Sequence, residues 1–359
     1  MSEPPVSQDA AATPSRARER GAPGAVAHPL LWTAALLWVA ALCAVLLLFA
    51  RVGERSWMVV LLLYAPRHLF VVPGLLLLPF ALRRGRRALL WPLAAGTLLW
   101  LFPLMGLVLP HPAPRATGPA IRVLSYNTTH GVDGPDSLRA LVRETAPDLV
   151  LFQWSSHLAD TALRGPGFEG WTVRHAAQFT VATRFPILSI ETGGVPSGSG
   201  PPCTHATIDT PIGLLDVYDI RPQSAREEIG GLRHRGLRQR VRDVASGALS
   251  GRMGQLASFR EAQIRSIAAM VASARHPVLI AGDTNLPSGS LFLRKYFGSF
   301  GDAFAQAGWG FGFTHPAKLP WMRLDRVLLG RELAATSFHV LSRRTSAHRP
   351  VLVEVGRAG

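Results

Sequence analysis

Gly282-Asp283-Thr284-Asn285 directly follows the apolar run Pro277-Val278-Leu279-Ile280-Ala281. Residues i and i+2 at the end of a strand project to the same side, so the Asp283 carboxylate and the Asn285 amide would share a face. A carboxylate placed there can orient or deprotonate a water, and an amide can donate to a phosphoryl oxygen. The same four residues also suit an ordinary turn, with Asn and Gly in their usual roles. Three more polar groups sit at the ends of strand-like runs. Asn127 closes the alternating run 121–126, Asp325 lies in the run 324–329 directly after Arg323, and His348 lies in Ser346-Ala347-His348-Arg349-Pro350, just before the run 351–355.

Other candidates are weaker. His130, His157, His175, His205 and His315 show no regular zinc spacing, and Ser125 and Ser346 lack a nucleophile elbow. Trp171, Trp309 and Trp321 read as core or rim residues. The segment 221–258 carries Arg226, Arg233, Arg235, Arg238, Arg240, Arg242 and Arg252 against Glu227, Glu228 and Asp243. It reads either as a solvated helical arm or as a basic wall over an anionic substrate.

These groups need an α/β scaffold to meet. Period-2 alternation or short buried apolar runs mark strands at 121–126, 149–152, 212–220, 277–281, 324–329 and 351–355. Helical stretches intervene at 138–145 and at 259–274, where Ile264, Ile267, Met270 and Val271 fall on one side. No repeat is visible, and Cys43 and Cys203 are too differently placed to form a disulfide framework.

In order and spacing, these motifs resemble the endonuclease/exonuclease/phosphatase family, the deoxyribonuclease I-like fold, over residues 120–355. Its pattern has a strand ending in Asn, a Gln-Glu after a second strand, a Thr-His-Leu or similar, Gly-Asp-x-Asn, Arg-Ile-Asp-Tyr and a terminal Ser-Asp-His. Arg260 and Gln263 match an Arg-x-x-Gln carried by bacterial membrane members. The resemblance implies a four-layer α/β sandwich of two packed mixed sheets flanked by helices, and Mg²⁺- or Mn²⁺-assisted attack of water on a phosphoester. It implies that Asp283 orients or activates the water and that Asn285 and Asn127 hold phosphoryl oxygens. His348 would stabilise phosphoryl charge, its tautomer fixed by Asp325. Arg221 and Arg323 would bind substrate. Three positions depart from the pattern: Trp154 follows Gln153 where Glu is usual, Ala347 replaces Asp, and Asp219 stands where His is usual. Either Asp219, helped by His157 or Asp133, supplies the lost metal ligands, or the protein is a pseudoenzyme that serves as a binding or sensory module.

Upstream, the chain changes solvent. Of the 359 residues 48% are hydrophobic and only 17% charged, and the surplus lies before residue 110. Residues 1–28 read as a disordered tail. Apolar runs at 29–50, 57–82 and 88–110 each approach the roughly 20 residues of a bilayer-spanning helix, which predicts three transmembrane helices. Arg67 and His68 interrupt the second run. Either 57–66 lies at the interface and a short span follows, or Arg67 faces a bundle interior. The basic loop Arg83-Arg84-Gly85-Arg86-Arg87 places that loop and the N-terminus in the cytoplasm. The expected location is therefore the inner membrane, with the domain at 120–359 periplasmic or extracellular after a Pro-rich linker at 111–119. A net charge of +15 fits an Arg-rich composition or attraction to anionic partners. The expected partners are the lipid bilayer and an anionic phosphoester rather than nucleic acid, since no basic groove with interleaved aromatics is apparent.

Overall fold

The computed structural model describes residues 27–83, 86–129, 134–155, 157–226, 242, 247–343 and 345–359. Twelve strands among these residues form two six-stranded mixed sheets. The first contains β1 (Ala116–Asn127), β2 (Leu149–Gln153), β3 (Thr172–Ala176), β4 (Phe179–Thr183), β11 (Leu333–Val340) and β12 (Val351–Ala358), in the order β11-β12-β1-β2-β4-β3. The second contains β5 (Ile187–Gly193), β6 (Cys203–Thr210), β7 (Gly213–Ile220), β8 (Val278–Asp283), β9 (Gly301–Asp302) and β10 (Asp325–Leu329), in the order β5-β6-β7-β8-β10-β9. The expected linker 111–119 ends early, because Ala116 and Thr117 already pair with Ala358 and Arg357.

Alternation explains how the sheets meet. Ile121 and Val123 of β1, Leu149 and Leu151 of β2, Leu215 and Val217 of β7, Leu279 and Ala281 of β8, and Val327 and Leu329 of β10 all enter one buried cluster. Each fully buried aliphatic side chain there contributes ~1.5–3 kcal/mol. The opposite faces are covered by helices. Leu138, Leu141 and Val142 of α5 (Gly134–Thr145) and Ala159 and Ala162 of α6 (His157–Leu163) pack on Leu124, Tyr126, Val150 and Phe152. Ile264, Ile267 and Val271 of α7 (Ala248–Ala272) and Phe292 of α8 (Leu291–Phe297) pack on Tyr218, Ile220 and Ile280. A short α9 (Ala303–Ala307) fills in beside the inner core. This is the expected four-layer sandwich.

The period of two has a further consequence. Continue each inward series to the strand end, and Asn127, Gln153, Asp219, Asp283 and Asp325 all point between the sheets. Register puts them at the same edge: Asn127 opposite Gln153, Asp219 opposite Ala281, Asp283 opposite Asp325. Val351 pairs with Ser125, so the segment holding His348 enters at that edge too.

The N-terminal part holds α1 (Ala27–Arg51), α2 (Trp57–Tyr64), α3 (Val72–Ala81) and α4 (Leu90–Leu99). Two helical stretches, Pro29–Arg51 and Arg87–Leu104, are long and apolar enough to cross a membrane. The run expected as a single helix at 57–82 is instead bent by 88° between α2 and the 67–81 stretch, and counts as a third only if the bent pair is one span. The break has a local cause. Pro66 disfavours helical geometry in the residue before it, and Ala65 is extended with ψ 153°.

The break is where the sandwich docks. Tyr64 donates its hydroxyl to the Asn285 carbonyl at 2.6 Å. Arg67 is buried and donates to the carbonyls of Leu63, Leu104 and Ser288 at 3.0, 3.0 and 2.6 Å. Glu54 accepts from the Ser290 hydroxyl and from the Leu291 N–H. Leu63, Tyr64 and Leu104 share one apolar cluster with Ala225, Met253, Met322 and Leu324 of the sandwich. Arg67 is thus a docking residue at a helix break: the charge that looked anomalous in an apolar run bonds two carbonyls of the helical part and one, that of Ser288, in the sandwich.

Candidate active site

Asp283 is nearly sealed from solvent and is held at both oxygens. Oδ1 accepts from the Asn285 backbone N–H at 3.0 Å and Oδ2 from the Asn127 side-chain amide at 2.9 Å. The turn that makes this possible needs glycine. Gly282 has φ +132°, and a Cβ there would lie 2.2 Å from the Ile220 carbonyl oxygen. Thr284 anchors the turn by donating its hydroxyl to the Leu324 carbonyl at 2.7 Å. Three non-glycine residues around the site sit in the left-handed region: Thr129, Trp154 and Asn285, with φ of 49°, 47° and 48°. Such strain clusters where surrounding structure over-determines the backbone.

His348 and Asp325 form a buried pair, Nδ1 lying 3.1 and 2.8 Å from the two carboxylate oxygens. Thr314 fixes the Asp325 backbone by accepting its N–H. Ser346 fixes the His348 end by accepting the His348 N–H and donating to the Asn127 carbonyl at 2.7 Å. With Nδ1 engaged, Nε2 faces inward, 3.7 Å from Asp283 Oδ2. Asn127, Thr129, Trp154, Arg221, Arg226, Asp283, Ala347 and His348 line one cavity of about 200 Å³.

Arg226 joins the halves of this cavity. Its Nη2 donates to Asn285 Oδ1 at 2.9 Å and lies 3.5 Å from His348 Nε2, its Nε donates to Ser224 Oγ at 3.2 Å, and its Nη1 donates to His315 Nε2. Burial, with Arg226 and His348 adding to it, pushes the His315 imidazole down to about 2, so it is a neutral acceptor. Burial alone would raise the Asp283 carboxyl; His348, Arg226 and Arg221 outweigh it and hold Asp283 below the ordinary carboxylate range, hence ionised.

Some expected residues take other roles. The Asn285 side-chain amide donates to the Pro222 carbonyl at 2.9 Å and its oxygen accepts from Arg226. Asp219 is fully buried and receives the Gln153 amide at 2.7 Å. Burial raises its carboxyl well above the ordinary range, and Asp219 is not part of the group formed by Asp283, Asp325 and His348. Arg323 clamps Asp302 through two bonds of 2.7 and 2.6 Å and lies over Phe304, away from the cavity. Arg221 does line the cavity, its guanidinium 3.9 Å above the Trp154 ring. Asp133 and the His157 side chain lie outside the described residues. Arg226 was not singled out from its Arg-rich segment, because no motif marks it; most of the remaining segment, 227–241 and 243–246, is also outside the described residues.

The sequence profile of the Endonuclease/Exonuclease/phosphatase family matches residues 124–348, from the core of β1 to the site histidine. The chain belongs to this family. Solved structures similar to it include an endonuclease/exonuclease/phosphatase from Beutenbergia cavernae, at 16% identity over 68% of this chain and 72% of that one, TM-score 0.47. A mannosyl-6-phosphatase from Bacteroides thetaiotaomicron is 12% identical over 66% and 99% of the two chains, TM-score 0.46. A 3'-5' exonuclease from Neisseria meningitidis is 14% identical over 66% and 100%, TM-score 0.48. No curated protein matches.

Endonuclease/exonuclease/phosphatase family members are generally metal-dependent. Among the described residues one acidic and histidine group comes together, Asp283, Asp325 and His348. Its oxygens also accept hydrogen bonds, those of Asp325 from His348 Nδ1 and those of Asp283 from the Asn285 N–H and the Asn127 amide. Mg²⁺ demands near-octahedral oxygen coordination. At the two positions where the family pattern puts carboxylates, this chain offers an indole beneath a guanidinium and a methyl group. Asp283, Asp325 and His348 remain a candidate metal-binding group, but with two carboxylates fewer than the family pattern they match the oxygen shell of Mg²⁺ poorly.

Proposed function

We propose that this chain is a membrane-held phosphoester hydrolase whose substrate presents its phosphate at the membrane face, as a lipid-linked or other cell-envelope phosphate would. The observation that carries the reading is the meeting of Asp283, Asn127, Arg226 and the His348–Asp325 pair around one cavity, next to the apolar cluster shared with the N-terminal helices. A phosphoryl group in the cavity would face Arg226, Arg221 and His348 Nε2. A water beside Asp283 would attack phosphorus. As the new P–O bond forms, a water proton passes to Asp283; as the ester P–O bond breaks, its electron pair leaves with the alcohol oxygen, which takes up a proton. The products are an alcohol and phosphate. Asp325 accepts from His348 Nδ1, and Nε2, when it too carries a proton, donates to the phosphoryl oxygens. The resemblance implies Mg²⁺ or Mn²⁺, and Asp283, Asp325 and His348 are the group that would hold it; these steps use the chain's own groups.

The membrane arrangement follows the same logic. Glu54, three residues before α2, and Tyr64, its last residue, both bond the sandwich, which supports α2 lying along the interface, with the Pro29–Arg51 and Arg87–Leu104 stretches crossing and 67–81 as a short span between them. The basic loop around Arg83 and Arg87 supports a cytoplasmic N-terminus and a periplasmic or extracellular domain. A substrate buried in a nucleic-acid duplex would have poor access to a site so close to the bilayer.

A second reading, a binding module without turnover, is favoured by Trp154 and Ala347. The test is the full chain in lipid nanodiscs, offered water-soluble and lipid phosphomonoesters and phosphodiesters in ¹⁸O-labelled water. Label appearing in released phosphate supports hydrolysis at phosphorus; no release from any ester leaves the binding module.

A further inference from the structure

The family's metal places positive charge beside a phosphate, and here the carboxylates that would hold it are missing while two guanidiniums line the same cavity. We propose that Arg226 and Arg221 take the cation's place, making this a divalent-independent oxyanion site for a phosphate group. The inference rests on the phosphoester reading above.

The two departures and the two arginines go together. Trp154 stands at the position of the usual Glu, and its ring supports the Arg221 guanidinium at 3.9 Å, a cation–π contact in which an aromatic face carries a cation of the chain itself. Arg221 is further held by the Gln178 amide oxygen at 2.8 Å. Ala347 lines the cavity beside Arg226; a carboxylate there would pair with that guanidinium and cancel its charge. Arg226 is braced by Ser224, His315 and Asn285. A guanidinium carries five donors in a planar fork, so donors remain for an anion in the cavity. His315 suits this bracing because it accepts from Arg226 without adding positive charge. Among the described residues that line the cavity, Asp283 is the one acid, against the guanidiniums of Arg221 and Arg226.

A guanidinium differs from Mg²⁺ in what it supplies. It donates directional bonds to phosphoryl oxygens, bidentate where geometry allows, but it does not acidify a bound water. Activation of water then falls to Asp283.

The test uses the full chain in nanodiscs and inorganic phosphate as the probe, with binding followed by calorimetry in excess EDTA and again in Mg²⁺ or Mn²⁺. The expected result is equal affinity in both, weakened about 10- to 100-fold in Arg226→Gln, as loss of a charge-assisted bond implies, and less in Arg226→Lys. The double variant Trp154→Glu with Ala347→Asp is expected to gain Mn²⁺ binding that the unaltered chain lacks. Phosphate bound only when a divalent ion is present would overturn the inference. Ester hydrolysis measured alongside keeps the two proposals apart. Metal-free phosphate binding without turnover keeps the arginine site and removes the hydrolase; turnover that EDTA abolishes keeps the hydrolase and removes the arginine site.

Discussion

At the scale of single residues, the pair His348–Asp325 makes the sharpest prediction. Asp325→Asn keeps the size of the side chain but loses the charge that holds the imidazole proton on Nδ1. The expected result is a fall in kcat of about 10²–10⁴, with the unfolding temperature little changed. Asp219 predicts a pH effect of definite sign. Burial raises its carboxyl in the folded chain, so above the unfolded value of about 3.9 the folded state binds the extra proton and loses stability as pH rises. Asp219→Asn mimics the protonated acid and still accepts from Gln153. Its unfolding temperature should therefore gain on the parent chain as pH is raised from about 5 to about 8; parallel curves would mean that Asp219 is ionised when folded. Asp283, Asn127, Asp325 and His348 were legible because each ends or adjoins a strand in a recognisable motif. Arg226, Asp219 and Arg323 were not, since what decides them is a tertiary partner: Asn285 and His315 for the first, Gln153 for the second, Asp302 for the third.

At the scale of elements, alternation does most of the work of assembly. Five strands each end their inward series on a polar residue, and the register in β1–β2 and β8–β10 brings those ends level. That much could be read from the chain, because period 2 is a local signal. Gly282 is where the register depends on one residue. Gly282→Ala would force a Cβ against the Ile220 carbonyl at an unfavourable φ, and a loss of about 3 kcal/mol or more is expected in chemical denaturation. A loss under about 1 kcal/mol would mean that the turn can relax and that its geometry is less demanding than it looks. The division of the second apolar run at Pro66 was open from sequence, which offered an interfacial segment or a buried Arg67. The structure breaks the run there: α2 ends before Pro66, and Arg67 is buried where the helices meet the sandwich.

At the scale of the whole molecule, the helices and the sandwich form one hydrogen-bonded unit. Tyr64 and Arg260 both reach the Asn285 carbonyl, and the Asn285 side chain holds Arg226. This coupling was invisible in the sequence, where Tyr64, Arg67 and Glu54 are three polar residues in an apolar region with no motif among them. A soluble fragment beginning at residue 112 would expose Met253, Met322 and Leu324, which pack on that region, and would lose these bonds. Arg67→Met in the full chain should leave the Ser288 and Leu104 carbonyls without this donor, at about 1–3 kcal/mol for each buried group, read as faster proteolysis at the junction. Unaltered proteolysis would mean that the apolar contacts alone hold the two parts together. The most direct test of phosphoester hydrolysis at this cavity is kcat of the full chain in a bilayer, parent against Asp283→Asn, with a lipid phosphoester as substrate. A fall of a hundredfold or more at unchanged unfolding temperature is expected. Equal turnover in the two proteins, or none in either, would contradict it.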